Sequence, residues 1–174
     1  MTAVTGSVFT AAQFNLNVRD NLALTAPAAA MTAGAMIITN GFRLLIERTA
    51  IVGYLGDFET TATATYGDLA TVGPAATVSS GTKCLVSVGG QVANSISGLG
   101  SRICPAVSGA TTIATTDANS LGSESGNAGD GYQATFVTQY TLTGGTNTFT
   151  LKYRTTAGGG VSTFGHRLVA CVPF

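Results

Sequence analysis

Hydrophobic and polar residues alternate most clearly toward the end of the chain. In Phe149-Thr-Leu-Lys-Tyr-Arg, the apolar residues 149, 151 and 153 lie on one side, and Thr150, Lys152 and Arg154 on the other. A period of two marks a half-buried strand. The same period over Phe164–Val172 puts Phe164, His166, Leu168, Ala170 and Val172 on one face. Strands are expected at 43–52, 54–66, 76–79, 82–92, 101–108, 132–143, 147–155 and 162–172, with a short addition at 112–116. Gly, Pro, Asn and Ser signals separate them, among them Val72-Gly-Pro, Gly144-Gly-Thr-Asn and Gly158-Gly-Gly. The segment 116–131 is long, polar and rich in Ser, Gly and Asn, and reads as an exposed loop. Many short strands with no helical pattern between them favour an antiparallel β-sandwich over βαβ units. About eight strands suit a jelly roll. The fold class is therefore mainly β, jelly-roll-like, preceded by a short N-terminal helix.

That helix is expected over 8–24. Thr10 and Gln13 have capping-box spacing, and Phe9 and Phe14 are placed for a hydrophobic staple. Phe14, Val18 and Leu22 recur at i, i+4, i+8 and share one face. Pro27 ends the pattern. A helix of this length is marginal alone in water, so it must dock on something. The layout is then an arm over 1–27, a small-residue linker over 28–41 and a β-sandwich over 42–174. The linker gives the helix reach to a partner subunit.

Composition sharpens the picture. Only 9% of the 174 residues are charged, and the formal net charge is zero. That argues against nucleic acid as a partner, because affinity there comes from neutralising phosphates. It equally argues against a polybasic membrane-surface protein. The chain holds 28 Thr and 12 Ser, so hydroxyls supply the polarity that charges do not. Apolar residues make up 45%, which excludes a disordered chain. Such a domain is expected to hide apolar surface against other copies of itself. The stretch 26–38 is too short for a membrane span, so no membrane insertion is expected. The opening residues carry no secretory signal. Cys84, Cys104 and Cys171 have no C-x-x-C spacing and read as reduced thiols.

Three groups of residues resemble a known family. They are Phe9-Thr-Ala-Ala-Gln-Phe-Asn-Leu-Asn-Val-Arg-Asp-Asn-Leu, Leu142–Arg154 with Ser162–Val169, and Tyr66-Gly-Asp-Leu with Val78–Val86. They are similar to segments of small virion structural proteins of tailed bacteriophages, labelled head-fibre, decoration or minor tail proteins. The resemblance covers both ends and part of the middle. It implies a β-domain displayed on the virion as a homotrimer and assembled in the host cytoplasm. It implies an anchor using Phe9, Phe14, Val18, Arg19, Asp20 and Leu22, with the major capsid protein or another virion subunit as partner. The alternative is a minor tail or tail-fibre protein that contacts the host surface or a host-surface glycan.

No catalytic constellation emerges, and the chain is read as a non-enzyme without cofactors. The single histidine, His166, sits in an expected strand and reads as structural. Gly122-Ser-Glu-Ser-Gly places Glu124 where a nucleophile elbow needs serine. Scattered cysteines and one histidine make a zinc site improbable, and no metal ligand is assigned. Asp117, Glu124, Asn127 and Asp130 form an oxygen-rich set that could attract a hard cation or simply be a solvated loop. The five tyrosines could offer a sugar platform, but strand tyrosines more often serve packing. A glycan hydrolase is disfavoured by the scarcity of carboxylates.

Overall fold

The computed structural model describes residues 10–19, 22, 32–39 and 45–174. The chain divides into two compact units, Met1–Arg48 and Thr49–Phe174.

In the first unit, α1 (Ala11–Phe14) is followed by a π-helical turn over Asn15–Arg19. The capping box is formed. Gln13 N donates to Thr10 Oγ1 at 3.2 Å, and Thr10 N donates to Gln13 Oε1 at 3.0 Å. The expected single α-helix over 8–24 thus widens at Asn15 to a π turn. Asn15 is a weak helix former, because an asparagine amide competes for backbone partners. Phe9 and Asp20 lie outside the described residues, so the staple does too. The stretch read as linker is not bare coil: β1 (Met36–Thr39) pairs antiparallel with β2 (Leu45–Arg48). The expected strand 43–52 is split accordingly, and the first compact unit, Met1–Arg48, takes in the arm, the linker and the first residues of the segment 42–174. No described helix is long and apolar enough to cross a membrane.

The second unit is an antiparallel sandwich of two sheets. Its strands are β3 (Ile51–Leu55), β4 (Glu59–Thr61), β5 (Ala75–Ser80), β6 (Lys83–Asn94), β7 (Gly100–Gly109), β8 (Leu121–Glu124), β9 (Gly131–Thr141), β10 (Gly145–Thr155) and β11 (Ser162–Pro173). One sheet runs β5-β10-β7-β8 and the other β3-β11-β6-β9, with β4 also on β11. Between them lie Val86, Val88, Val92, Ile103, Phe149, Leu151, Tyr153, Phe164 and Val169, all essentially without solvent contact. Alternation over 149–154 is as expected: Phe149, Leu151 and Tyr153 are buried, while Thr150, Lys152 and Arg154 are half-exposed.

Not all hydroxyls are on the surface. Asn94 Nδ2 donates to Thr155 Oγ1 at 3.2 Å, Ser162 Oγ at 3.1 Å and Gly100 O at 3.3 Å. Ser101 Oγ donates to Ser162 Oγ at 2.8 Å. A second buried asparagine, Asn147, donates to Ser80 Oγ at 2.9 Å and accepts from Thr111 N at 2.8 Å. These short side chains satisfy polar groups at the ends of the sandwich, where strands diverge and the backbone ladder stops.

Two expectations fail here. The loop 116–131 is interrupted by β8, which adds to β7 at the sheet edge. Leu121 anchors it in the core at 4% exposure. The strand 54–66 is mostly irregular: Tyr54 and Leu55 end β3, and beyond them only Glu59–Thr61 pairs, also against β11.

Candidate functional site

The departure from regular geometry lies on β11. Gly165 pairs with Gln91 and Leu168 with Gly89, so two residues, His166 and Arg167, oppose the single Gly90. This is a β-bulge, which re-aims side chains and bends the strand. His166 takes φ +50°, the only positive φ of a non-glycine among the described residues. That left-handed conformation costs a residue with a Cβ on the order of 1 kcal/mol. It is held from two sides. His166 Nδ1 and Tyr54 Oη are hydrogen-bonded at 2.9 Å, and the Phe58 ring meets the imidazole edge-on at 5.3 Å. The Phe58 ring also lies over Gly165, where any Cβ would collide with it.

The bulge reverses the expected facing of this strand. Phe164 points into the core, but His166 is exposed and Leu168, Ala170 and Val172 face outward. Arg167, expected on the outside, is fully buried. Its Nη2 lies 3.4 Å from Glu59 Oε1, and its guanidinium sits 5.6 Å from the Tyr153 ring centroid. All three guanidinium nitrogens lack a well-formed hydrogen bond. Glu59 Oε2 accepts from Thr71 N at 3.0 Å. Hydrogen bonding from Thr71, its side chain first and then its backbone, followed by the nearby Arg167 charge, holds the Glu59 carboxyl below the usual carboxylate range.

Opposite the bulge, Gly89 and Gly90 leave a depression of about 320 Å³ between β9 and β11. Gln133, Ala134, Thr135, His166 and Leu168 line the rest of it. A second depression of about 420 Å³ continues toward the end of the same sheet. Phe58, Gln91, Ser95, Val161 and Thr163 are among its walls. Gln91 and Gln133 are cross-strand partners. No charged side chain lines either depression, among the described residues.

Beyond the depression the outer face of this sheet turns apolar. One row across the strands reads Val52, Ala170, Ser87, Val137, and the next Val172, Leu85, Gln139. Val52 is 61% exposed and Val137 52%.

The opposite sheet carries Arg102, Lys152 and Arg154. Arg154 faces Arg102 across β10 and β7. Arg154 donates to both carboxylate oxygens of Asp117, which also accepts from Tyr66 Oη at 2.8 Å. These bonds, Arg154's first, hold the Asp117 carboxyl below its usual range. Burial pushes the Tyr66 hydroxyl up to about 12. The oxygen-rich set read from the sequence is dispersed. Asp117 is bound to arginine, Glu124 is on β8, and Asp130 accepts from Asn127 N and Nδ2 within its own turn. No group of three or more His, Cys, Asp or Glu able to hold a metal occurs among the described residues. Cys84, Cys104 and Cys171 are free and buried. Burial pushes the Cys104 thiol up to about 11.

Of the anchor residues read from the sequence, Phe14 and Leu22 are exposed at 47% and 61%, Val18 is half-buried and Arg19 is exposed. Phe9 and Asp20 are outside the described residues. Sequence reasoning missed the bulge site. The Gly89-Gly90 pair inside an apolar strand was its one legible signal, because glycine there marks a bulge or a close approach.

No protein-family model matches the chain, and no curated protein does. Among solved structures, the chain is similar to one described as Eiger TNF from S. frugiperda. The identity is 13% and the TM-score 0.50, with 73% of this chain and 92% of that one covered. At that identity the likeness shows the fold: a TNF-like jelly-roll β-sandwich.

Proposed function

We propose that the chain is a virion structural protein of a tailed bacteriophage, of decoration or head-fibre type. The segment before the sandwich attaches it to the major capsid protein or another virion subunit, and the jelly roll is displayed as a homotrimer. Its activity is binding, and no catalytic step is assigned. The observation that carries this reading is the outer face of β3-β11-β6-β9. Val52, Ala170, Val172, Leu85 and Val137 give that face an apolar end, with Lys83 at its corner as the one charge. A monomer would leave this face in water, whereas soluble monomers seldom expose large contiguous apolar patches. A second copy of a chain with zero net charge meets little repulsion there. The separate N-terminal unit, with its capped turn and exposed Phe14, Leu16 and Leu22, supports the anchoring half of the reading. The three-fold state and the virion location come from the resemblance in sequence.

Mass measurement of the full chain by light scattering tests the assembly. A trimer that persists from about 0.05 to 1 M salt is expected, because screening acts on charge pairs and this face has none. A well-behaved monomer at micromolar concentration would overturn the reading. Quantitative mass spectrometry of purified particles tests the location. Hundreds of copies per particle support the capsid, and about a dozen would move the chain to the tail, as a protein contacting the host surface.

A further inference from the structure

The depression at the β11 bulge is a built site. Its floor lacks side chains at Gly89, and the left-handed His166 stands at its rim. A conformation that costs free energy persists only where its surroundings impose it, and such outliers cluster at ligand sites. Here Tyr54 and Phe58 impose it. The volume of about 320 Å³ lies within the range of small-molecule sites.

The lining selects the ligand. With no Lys, Arg, Asp or Glu among the described lining residues, nothing compensates a phosphate, a carboxylate or an ammonium group. One imidazole does not hold a metal ion. A purely apolar guest would strip water from Gln133 and Thr135 without replacing its hydrogen bonds. What remains is a neutral molecule dense in hydroxyls. Each glutamine amide offers donors and an acceptor together, matching hydroxyls that do both. Gln91 and Gln133 stand side by side across β6 and β9. Phe58, 52% exposed, offers an apolar ring at the second depression for the C–H face of a sugar.

We propose that the bulge depression binds a neutral saccharide, with one sugar unit over Gly89 and the next over Gln91 toward Phe58. This does not rest on the virion reading. Val172, at the apolar end of the face, lies six residues along β11 from His166, or about 20 Å at strand rise. The nearer row of that face comes within two residues of Thr135 and Leu168, so the self-association face is probed separately at Leu85, the cross-strand partner of Val172.

The test is binding of the full chain to an array of neutral and acidic glycans, then calorimetry. The calorimetric probes are N-acetylglucosamine, glucose, galactose, their β-linked disaccharides, and glucuronate as the charged control. Neutral sugars should bind at about millimolar affinity or better, and a disaccharide about tenfold tighter than its monosaccharide. Gly89→Val should abolish binding. Its Cβ would enter the depression 3.3 Å from Thr135 Oγ1 and 3.9 Å from Leu168 Cβ, a contact that a rotating hydroxyl can relieve. Gln91→Ala with Gln133→Ala should weaken binding at least about tenfold. This second variant carries the test if Gly89→Val fails to fold, and melting curves certify the fold of each. No binding by the folded wild type, equal binding of glucuronate, or unchanged affinity in the folded variants would each overturn the proposal. Loss of sugar binding with the trimer intact leaves the virion reading untouched, and Leu85→Glu, in the row farthest from the depression, separates them in the other direction.

Discussion

His166 and Arg167 are neighbours in the chain and meet opposite environments, one in water and one in the core. The bulge decides which is which, and the backbone at residue 166 bears the strain. His166→Gly removes the left-handed penalty along with the Tyr54 hydrogen bond, so stability should change by under about 1 kcal/mol. His166→Val puts a β-branched residue at φ +50° and should cost about 2 kcal/mol more. Urea midpoints of the two variants check this. Arg167 is a buried charge with one carboxylate near it. Glu59→Gln strands that charge and should destabilise by about 3 kcal/mol, whereas Arg167→Met removes it while filling its space and should be near neutral. A larger loss for Arg167→Met than for Glu59→Gln would show that the guanidinium itself stabilises the core. Glu59 and Asp117 both have folded pKa values below the ordinary carboxylate value of about 4. The unfolded chain therefore binds more protons in that window. Stability is fully present above it and is lost as pH falls through the folded values. Denaturation midpoints at pH 3 should lie below those at pH 6, and Asp117→Asn should shrink the difference.

At the scale of elements, each long strand has one face in the core and one that must find another use. On β10 the second face carries Lys152 and Arg154, which pair with Asp68 and Asp117. On β3, β6, β9 and β11 it carries no charge beyond Lys83 at the corner, and the strands supply Val52, Leu85, Val137 and Val172 instead. Val137→Glu should leave the melting of the sandwich itself within about 0.5 kcal/mol, since the site is exposed. It should dissociate the oligomer by placing a charge in a desolvated interface. Sedimentation reads the mass, and an unchanged oligomer would move the interface to another face. Close approach matters between elements too. A Cβ at Gly53 on β3 would run into the Ala75 carbonyl of β5, so the sheets can close there only over glycine.

The whole molecule divides after Arg48. The second unit has its own two sheets and its own core, which is what an independently folding domain requires. A chain lacking residues 1–48 should give the same strand-type circular dichroism and cooperative melting as the full chain. It should still oligomerise and should no longer join particles. A truncated chain that fails to fold would make the N-terminal unit part of the sandwich's stability and remove the anchoring role. Incorporation of the truncated chain into particles would place the anchor on the jelly roll.

How much of this was legible in the sequence follows from how local each cause is. The capping box is visible because Thr10 and Gln13 are three residues apart and bond each other. The strand 149–154 is visible because alternate side chains meet the core directly. The scarcity of charge pointed to an apolar outer surface, although it did not say which face. The jelly roll itself was legible, since many short strands with little charge have few other ways to bury their faces. What lay beyond the sequence depends on partners distant in the chain. β8 looks like loop because its residues are small and polar, and it becomes a strand only through the hydrogen-bonding edge of β7. The linker residues 36–39 become β1 only by meeting 45–48. The facing of β11 turned on one extra residue opposite Gly90, and a one-residue shift moves every later side chain to the other side of a sheet. Periodicity measures spacing along one strand. Register is set between strands, so the tertiary structure alone put Arg167 in the core and opened the depression beside His166.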